Sequence, residues 1–419
     1  MTPPISDTFS ARTAPADAVG LTGADPWRRA VLGRLARLRQ GTLTVAEGGE
    51  PLEVGQPSPD GLSARVTVRR PGFWRRVALG GSVAAGEAYA DGDWDSDDLT
   101  AVVRLFARNR PALDGLEGGL ARLAQPARRL FELARRNTRT GSRRNIAEHY
   151  DLGNDFFALM LDPTMTYSSG IFEGPEATLE EASRAKLDLL CRRLELRRED
   201  HLLEIGTGWG SLAIHAAGRY GCRVTTTTLS RAQRELAEAR VRAAGLADQV
   251  TVLSRDYRDL EGRYDKLVSC EMIEAIGAAQ VPAFFARCAA LLVPGGRLAL
   301  QAITIADQHH ARALGEVDFI RRHVFPGGAL PSVTSLLQAA TTASDLRLRQ
   351  LDDYTPHYAR TLREWRANLA ARREAVAALT DERFRRLWHY YLCYCEGGFE
   401  ERFIGVVQAL FDRPTGGAT

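Results

Sequence analysis

His201-Leu202-Leu203-Glu204-Ile205-Gly206-Thr207-Gly208-Trp209-Gly210-Ser211-Leu212 decides how this chain is read. A short apolar run ends beside an acid, and three glycines follow at spacing two. An apolar-periodic segment from Leu212 to Ala217 comes next. The pattern predicts a strand, a tight turn and a helix. Glycines let a backbone pass close to a ligand where a Cβ would collide, and a helix amino terminus offers free N–H donors. A second strand, Arg223 to Thr227, begins about twenty residues later, the spacing of a nucleotide-binding βαβ unit.

The turn is not a phosphate loop. It has no Gly-Lys-Ser/Thr, and Trp209 would crowd a triphosphate. Its Glu-x-Gly-x-Gly form resembles the first motif of class I S-adenosylmethionine (SAM) methyltransferases. An ordinary Rossmann-like turn using NAD is the competing reading. The second strand ends in Thr226, Thr227 and Thr228, where a ribose-binding acid is common, and this counts against NAD.

Working outward, strands are expected at 201–205, 223–227, 250–254, 265–270 and 297–303, with helices between them. The alternation predicts an α/β fold with a parallel, doubly wound sheet and a ligand at the carboxyl ends of its strands. Thr178-Leu179-Glu180-Glu181 has capping-box spacing and starts a helix running to about Leu194. Beyond residue 304 the pattern turns helical and aromatic, with Trp388 to Cys395 rich in rings. Helix packing accounts for most of those rings; a few are candidates for lining an apolar tunnel.

At 419 residues more than one domain is expected. Residues 1–19 read as a disordered lead-in and 20–132 as a small α+β domain for lipid docking or dimerisation. Residues 133–144 read as a basic linker and 145–419 as the catalytic domain. In the small domain Ala30 to Leu38 reads as a helix, and Thr42 to Ala46, Leu62 to Arg69 and Phe73 to Ala78 as strands. Gly86 to Trp94 reads as turn-rich, leading into an Asp-capped helix from Leu99 to Ala107. With 45% apolar and 26% charged residues, the chain has the composition of a protein that buries a core. No apolar run approaches the ~20 residues of a membrane span, and the amino terminus has no signal core.

Cys191, Cys222, Cys270, Cys288, Cys393 and Cys395 have no zinc or disulfide spacing and read as reduced cytosolic thiols, with no metal site. The net charge of +3 excludes little. Only Lys186 and Lys266 are lysines, and eleven arginines fall between Arg104 and Arg144 against Asp114, Glu117 and Glu132. That cluster suits an anionic membrane surface as well as it suits a solvated linker. No nucleic-acid module accompanies it.

Further motifs sharpen the reading: His149-Tyr150-Asp151-Leu152-Gly153-Asn154-Asp155, Tyr167-Ser168, Thr228-Leu229-Ser230 with Gln233, and Asp256-Tyr257-Arg258-Asp259. Glu274 with Gly277, Phe325-Pro326-Gly327 and Leu330-Pro331-Ser332 follow in order. Together they resemble the cyclopropane fatty acid synthase family, including the mycolic acid cyclopropane synthases, from about residue 145 to the carboxyl terminus. The amino-terminal region resembles the extra domain of longer bacterial members.

The resemblance implies a SAM-dependent C-methyltransferase acting on unsaturated phospholipid acyl chains, cytoplasmic and peripheral to the inner membrane face. It implies that Tyr167 and Ser168 contact the methionine part of SAM, while Glu204, Gly206, Gly208 and Gly210 bracket it. Thr228, Leu229, Gln233, Tyr257 and Arg258 would flank the ribose and adenine. The family's bicarbonate site uses a cysteine, a glutamate, a histidine and a tyrosine. Glu274 and Tyr358 match two of these, but Ser169 and Gln301 stand at the cysteine and histidine positions. Ala275 replaces a histidine that commonly follows the glutamate. A neutral amide is neither cation nor base, so bicarbonate binding is the weak link. A methyl- or methylene-branched product is favoured over a ring. A soluble-acceptor methyltransferase, an inactive lipid-binding homologue and a homodimeric assembly remain open at this point.

Overall fold

The computed structural model describes residues 25–110 and 153–416. The 1–19 lead-in, the 133–144 linker and the His149-Tyr150-Asp151-Leu152 motif lie outside those residues.

The amino-terminal part forms a four-stranded sheet in the order β2-β1-β3-β4, from Gly41–Ala46 (β1), Leu52–Gln56 (β2), Ser63–Val68 (β3) and Trp94–Asp95 (β4). Alternate residues of β1 and β3 point inward, as a one-sided sheet requires. Helices Pro26–Leu35 (α1), Gly72–Ala90 (α2) and Leu99–Arg108 (α3) cover it, and the Asp98 side chain caps α3 as expected. Phe73 to Ala78 is helix rather than strand. Its apolar residues 73, 74, 77 and 78 flank Arg75 and Arg76 at i, i+1, i+4 and i+5, which is helical spacing rather than strand alternation. Gly86 to Ala90 belongs to the same helix, which breaks its regularity at Gly81 (φ 63°).

The remainder is a seven-stranded sheet flanked by helices. Its strands are His201–Ile205 (β5), Arg223–Thr227 (β6), Val250–Leu253 (β7), Tyr264–Cys270 (β8), Leu292–Ile305 (β9), Arg347–Asp353 (β10) and Ile404–Asp412 (β11). The spatial order is β10-β11-β9-β8-β5-β6-β7. β5 to β9 run parallel, as expected. β11 runs antiparallel to both β9 and β10, so the sheet is mixed rather than wholly parallel. β11 was not anticipated because Val406 to Phe411 is buried throughout and its apolar run carries no period-two signal. Strand order turns at β5/β8, which places the Gly206 turn and the end of β8 side by side at the switch point.

The two parts share a core. Helix Glu382–Glu400 packs on α2 and α3, and one apolar cluster runs from Leu32 and Trp74 through Trp388 and Trp365. Arg104 and Arg108 pair with Glu401, and Arg110 pairs with Glu316 and lies over the Phe403 ring. Three members of the arginine cluster are therefore spent inside the molecule. No helix among the described residues is long and apolar enough to cross a membrane.

Candidate active site

Three positive-φ glycines, Gly206 (105°), Gly208 (52°) and Gly210 (87°), carry the chain from β5 into helix Ser211–Tyr220. Those angles are ones that side chains with a Cβ rarely adopt. A Cβ on Gly206 would meet Met272, and one on Gly210 would press on Ala237 at 3.3 Å. The turn opens onto a cavity of about 210 Å³. Of the expected cofactor residues, Tyr167, Ser168, Glu204, Gly206, Gly208, Thr228, Leu229, Gln233, Tyr257 and Arg258 line it. Gly210 sits behind the wall against Ala237.

The wall is internally braced. Thr228 donates to Gln233 Oε1 at 2.9 Å, and Ser230 caps the helix that carries Gln233. Arg258 grips Asp256 through Nε (2.8 Å) and Nη2 (2.6 Å) beside the Tyr257 ring. Tyr167 donates to or accepts from Tyr391 at 2.9 Å and packs against Phe157 and Trp365. The ring-rich helix thus meets the cavity wall through Tyr391, while Tyr390 and His389 face Tyr89 of the amino-terminal part. Trp209 is buried, with its indole N–H on Asn154.

Glu204 accepts from Thr226 at 2.6 Å, and burial pushes its carboxyl up to about 8 despite that bond. A cavity with turned-back glycines, a nearby acid and an adenine-sized flank of Leu229, Gln233 and Tyr257 fits a nucleoside carrying an amino-acid tail.

Ser169, Gln301 and Tyr358 do converge, but on a residue the motif matching passed over. Glu271 Oε1 accepts from the Ser169 N–H (3.0 Å) and from Gln301 Nε2 (2.7 Å). Glu271 Oε2 accepts from the Tyr358 hydroxyl at 2.6 Å. Gln301 is held in that orientation by a relay. Its Oε1 accepts from Gln408 Nε2 (2.9 Å), and Gln408 Oε1 accepts from Arg193 Nη1 (2.9 Å). Tyr358 is stacked on Phe399 at 4.4 Å. Glu271 lines the cavity, whereas Ser169, Gln301 and Tyr358 stand behind it.

Burial raises the Glu271 carboxyl above its ordinary value, opposed by the three hydrogen bonds. Its φ is 49°, and Met165, also in the wall, is at 60°. Left-handed backbone at non-glycine residues costs energy and clusters at functional sites. An acid at the carboxyl end of a central parallel strand was a signal open to the sequence reading.

Glu274, the carboxylate singled out from the sequence, lies outside this hub. Its Oε1 accepts from the Ile303 N–H, and Oε2 has no partner among the described residues. Burial, then the neighbouring Glu271 charge, push it up to about 8. A carboxyl raised from 4.5 to about 8 is neutral in the folded chain while ionised in the unfolded one. Stability linked to it therefore falls as pH rises through that window. Glu274→Gln should match the parent in melting temperature near pH 5 and exceed it near pH 8, read by thermal melts across pH. A constant difference would remove the linkage.

The model of the family described as mycolic acid cyclopropane synthetase matches residues 137–409. A tuberculostearic acid methyltransferase from Mycobacterium tuberculosis is 40% identical over 343 residues, covering 80% of this chain and 79% of its own. A cyclopropane-fatty-acyl-phospholipid synthase from Escherichia coli K12 is 34% identical over 352 residues, covering 84% and 88%. The solved mycolic acid cyclopropane synthase CmaA1, complexed with SAH and CTAB, superposes with a TM-score of 0.61 at 33% identity. That match covers 64% of this chain and 98% of that one. The chain belongs to the mycolic acid cyclopropane synthetase family and is a SAM-dependent methyltransferase.

Proposed function

We propose that the enzyme transfers a methyl group to the double bond of unsaturated phospholipid acyl chains and releases a methyl- or methylene-branched product rather than a cyclopropane. The observation that carries this reading is Glu271, whose carboxylate occupies the meeting point of Ser169, Gln301 and Tyr358. Those are the positions at which the family resemblance puts a bound bicarbonate. The donors such an anion would use are already taken by a side chain, so no step here is routed through bicarbonate.

SAM, when bound, supplies an electrophilic methyl group. An isolated alkene is a weak nucleophile, so alignment and dryness carry the rate. Met165, Met272, Ile276, Phe325 and Pro326 give the cavity an apolar side that excludes water and suits an acyl chain. As the alkene π pair bonds to the methyl group, the S–CH3 bond breaks with its pair left on sulfur as a neutral thioether, and the neighbouring carbon is a cation. The Tyr167 and Phe325 ring faces can stabilise it, at about 2 kcal/mol each when desolvated, without reacting.

Glu271 then takes a proton. Loss from the methyl-bearing carbon gives a methyl-branched alkene, and loss from the methyl after a hydride shift gives a methylene branch. In either case the C–H electron pair becomes the new π bond and Glu271 becomes a neutral acid. Loss from the methyl with ring closure gives the cyclopropane of the alternative reading. The names of the relatives, a tuberculostearic acid methyltransferase and a cyclopropane-fatty-acyl-phospholipid synthase, support an acyl substrate. Peripheral contact with the cytoplasmic membrane face, a docking role for the amino-terminal domain and a homodimer belong to the same proposal.

The test uses methyl-labelled SAM and vesicles of mono-unsaturated phospholipid, with the acyl products read by mass spectrometry and NMR. Labelled branched chains are expected. Cyclopropyl protons in the main product would overturn the branched reading, and methylation confined to soluble acceptors would overturn the lipid one.

A further inference from the structure

Lys186, one of two lysines in the chain, is 2% exposed on helix Leu179–Arg193. A buried lysine needs partners that justify its desolvation. Lys186 Nζ donates to Ser168 Oγ at 2.8 Å and approaches Cys270 Sγ at 3.6 Å. Lys186, Ser168 and Cys270 all line the cavity. Its charge also favours ionisation of Glu204 and Glu271, which line the same cavity.

Other cations in the wall are differently placed. Arg258 is committed to Asp256 through two hydrogen bonds, and Arg255 is exposed. SAM brings a sulfonium, an ammonium and one carboxylate. Glu204, a buried acid in the wall that an adjoining cation would ionise, suits a positive centre, which leaves the carboxylate in need of a cation. An ammonium has three donors and a thiol is a weak acceptor, so Lys186 has hydrogen-bonding capacity beyond Ser168. The Ser168 hydroxyl accepts from Lys186 and turns its own proton toward Cys270 Sγ, an acceptor far weaker than a carboxylate. Charge-assisted bonds of this kind are the strong ones.

We propose that Lys186, seconded by Ser168, binds the carboxylate of the methionine part of SAM and so sets which way the sulfonium faces. Lys186 is a cofactor-binding residue in this reading rather than a structural counter-charge. The inference rests on SAM as the cofactor.

The test compares SAM with decarboxylated SAM, which keeps the sulfonium and the ammonium but lacks the carboxylate, by calorimetry on the full chain. The parent should bind decarboxylated SAM about tenfold or more weakly. Lys186→Met should weaken SAM by a similar factor, leave decarboxylated SAM nearly unchanged and so abolish the discrimination. Lys186→Arg should keep part of it. A counter-charge role would weaken both nucleotides alike, and that result overturns the proposal. So does equal affinity of the parent for the two nucleotides, a measurement that needs no variant to fold. No binding of SAM by the parent would instead strike the cofactor assignment itself.

Discussion

Glu271→Gln should reduce kcat by roughly 10²- to 10⁴-fold, the range that general acid–base groups contribute. SAM affinity should change little in comparison. The substitution keeps the size of the side chain and its place between Ser169, Gln301 and Tyr358, so a loss confined to turnover reports proton transfer rather than collapse. In the parent, burial holds the Glu271 carboxyl above its ordinary 4.5. The ionised form is the one that accepts a proton, so kcat should fall on the acid side with a midpoint above 4.5, and the Gln variant should lack that limb. Glu271→Ala tests the geometry from the other direction. It leaves the Ser169 N–H, the Gln301 amide and the Tyr358 hydroxyl aimed at one vacated point. Added formate or bicarbonate should restore turnover by about tenfold or more, as a small anion fills a site lined by three donors. Turnover of Glu271→Gln within a few-fold of the parent would remove Glu271 from the chemistry.

That hub also marks the boundary of what the sequence disclosed. The Gly206 turn, the five parallel strands and the Thr178–Glu181 capping box were legible because each rests on a local rule: glycine angles, apolar runs and cap spacing. Ordered motifs led to the cavity, and ten of the eleven residues expected to hold the cofactor line it. Matching motifs residue by residue did not find the hub. It fixed on Glu274 because a glutamate was expected at that register, while the carboxylate that Ser169, Gln301 and Tyr358 address lies three residues earlier. Three-dimensional convergence of residues 169, 271, 301 and 358 has no local signature. Nor does a left-handed φ at Glu271. Lys186 had a signal that went unused: a rare residue type at a buried helix position.

Gly86→Val should cost about 3 kcal/mol or more, at the upper end of what overpacking in a filled interior produces. A Cβ at Gly86 would lie 2.5 Å from Phe319 Cδ2 and 2.8 Å from Tyr390 Cε1. Both rings are buried, and they contact each other at 4.6 Å, so neither can yield without displacing the other. The damage should not stay within the amino-terminal part. Next to this contact Glu87 binds His323 Nε2 (2.9 Å) and Arg322 Nε (2.7 Å), and helix Phe319–His323 leads directly into Phe325 and Pro326 of the cavity wall. Forcing Phe319 outward therefore shifts the apolar side of the site while leaving the glycine turn on β5 in place. Lowered denaturant midpoints and faster proteolysis should accompany a fall in kcat/KM for phospholipid vesicles that exceeds any loss of SAM affinity. Gly86→Ala introduces the same Cβ without the branch and should fall between the parent and Gly86→Val. If Gly86→Val loses stability while both its lipid and SAM parameters hold, the amino-terminal part is fastened to the rest of the molecule without shaping the acceptor site.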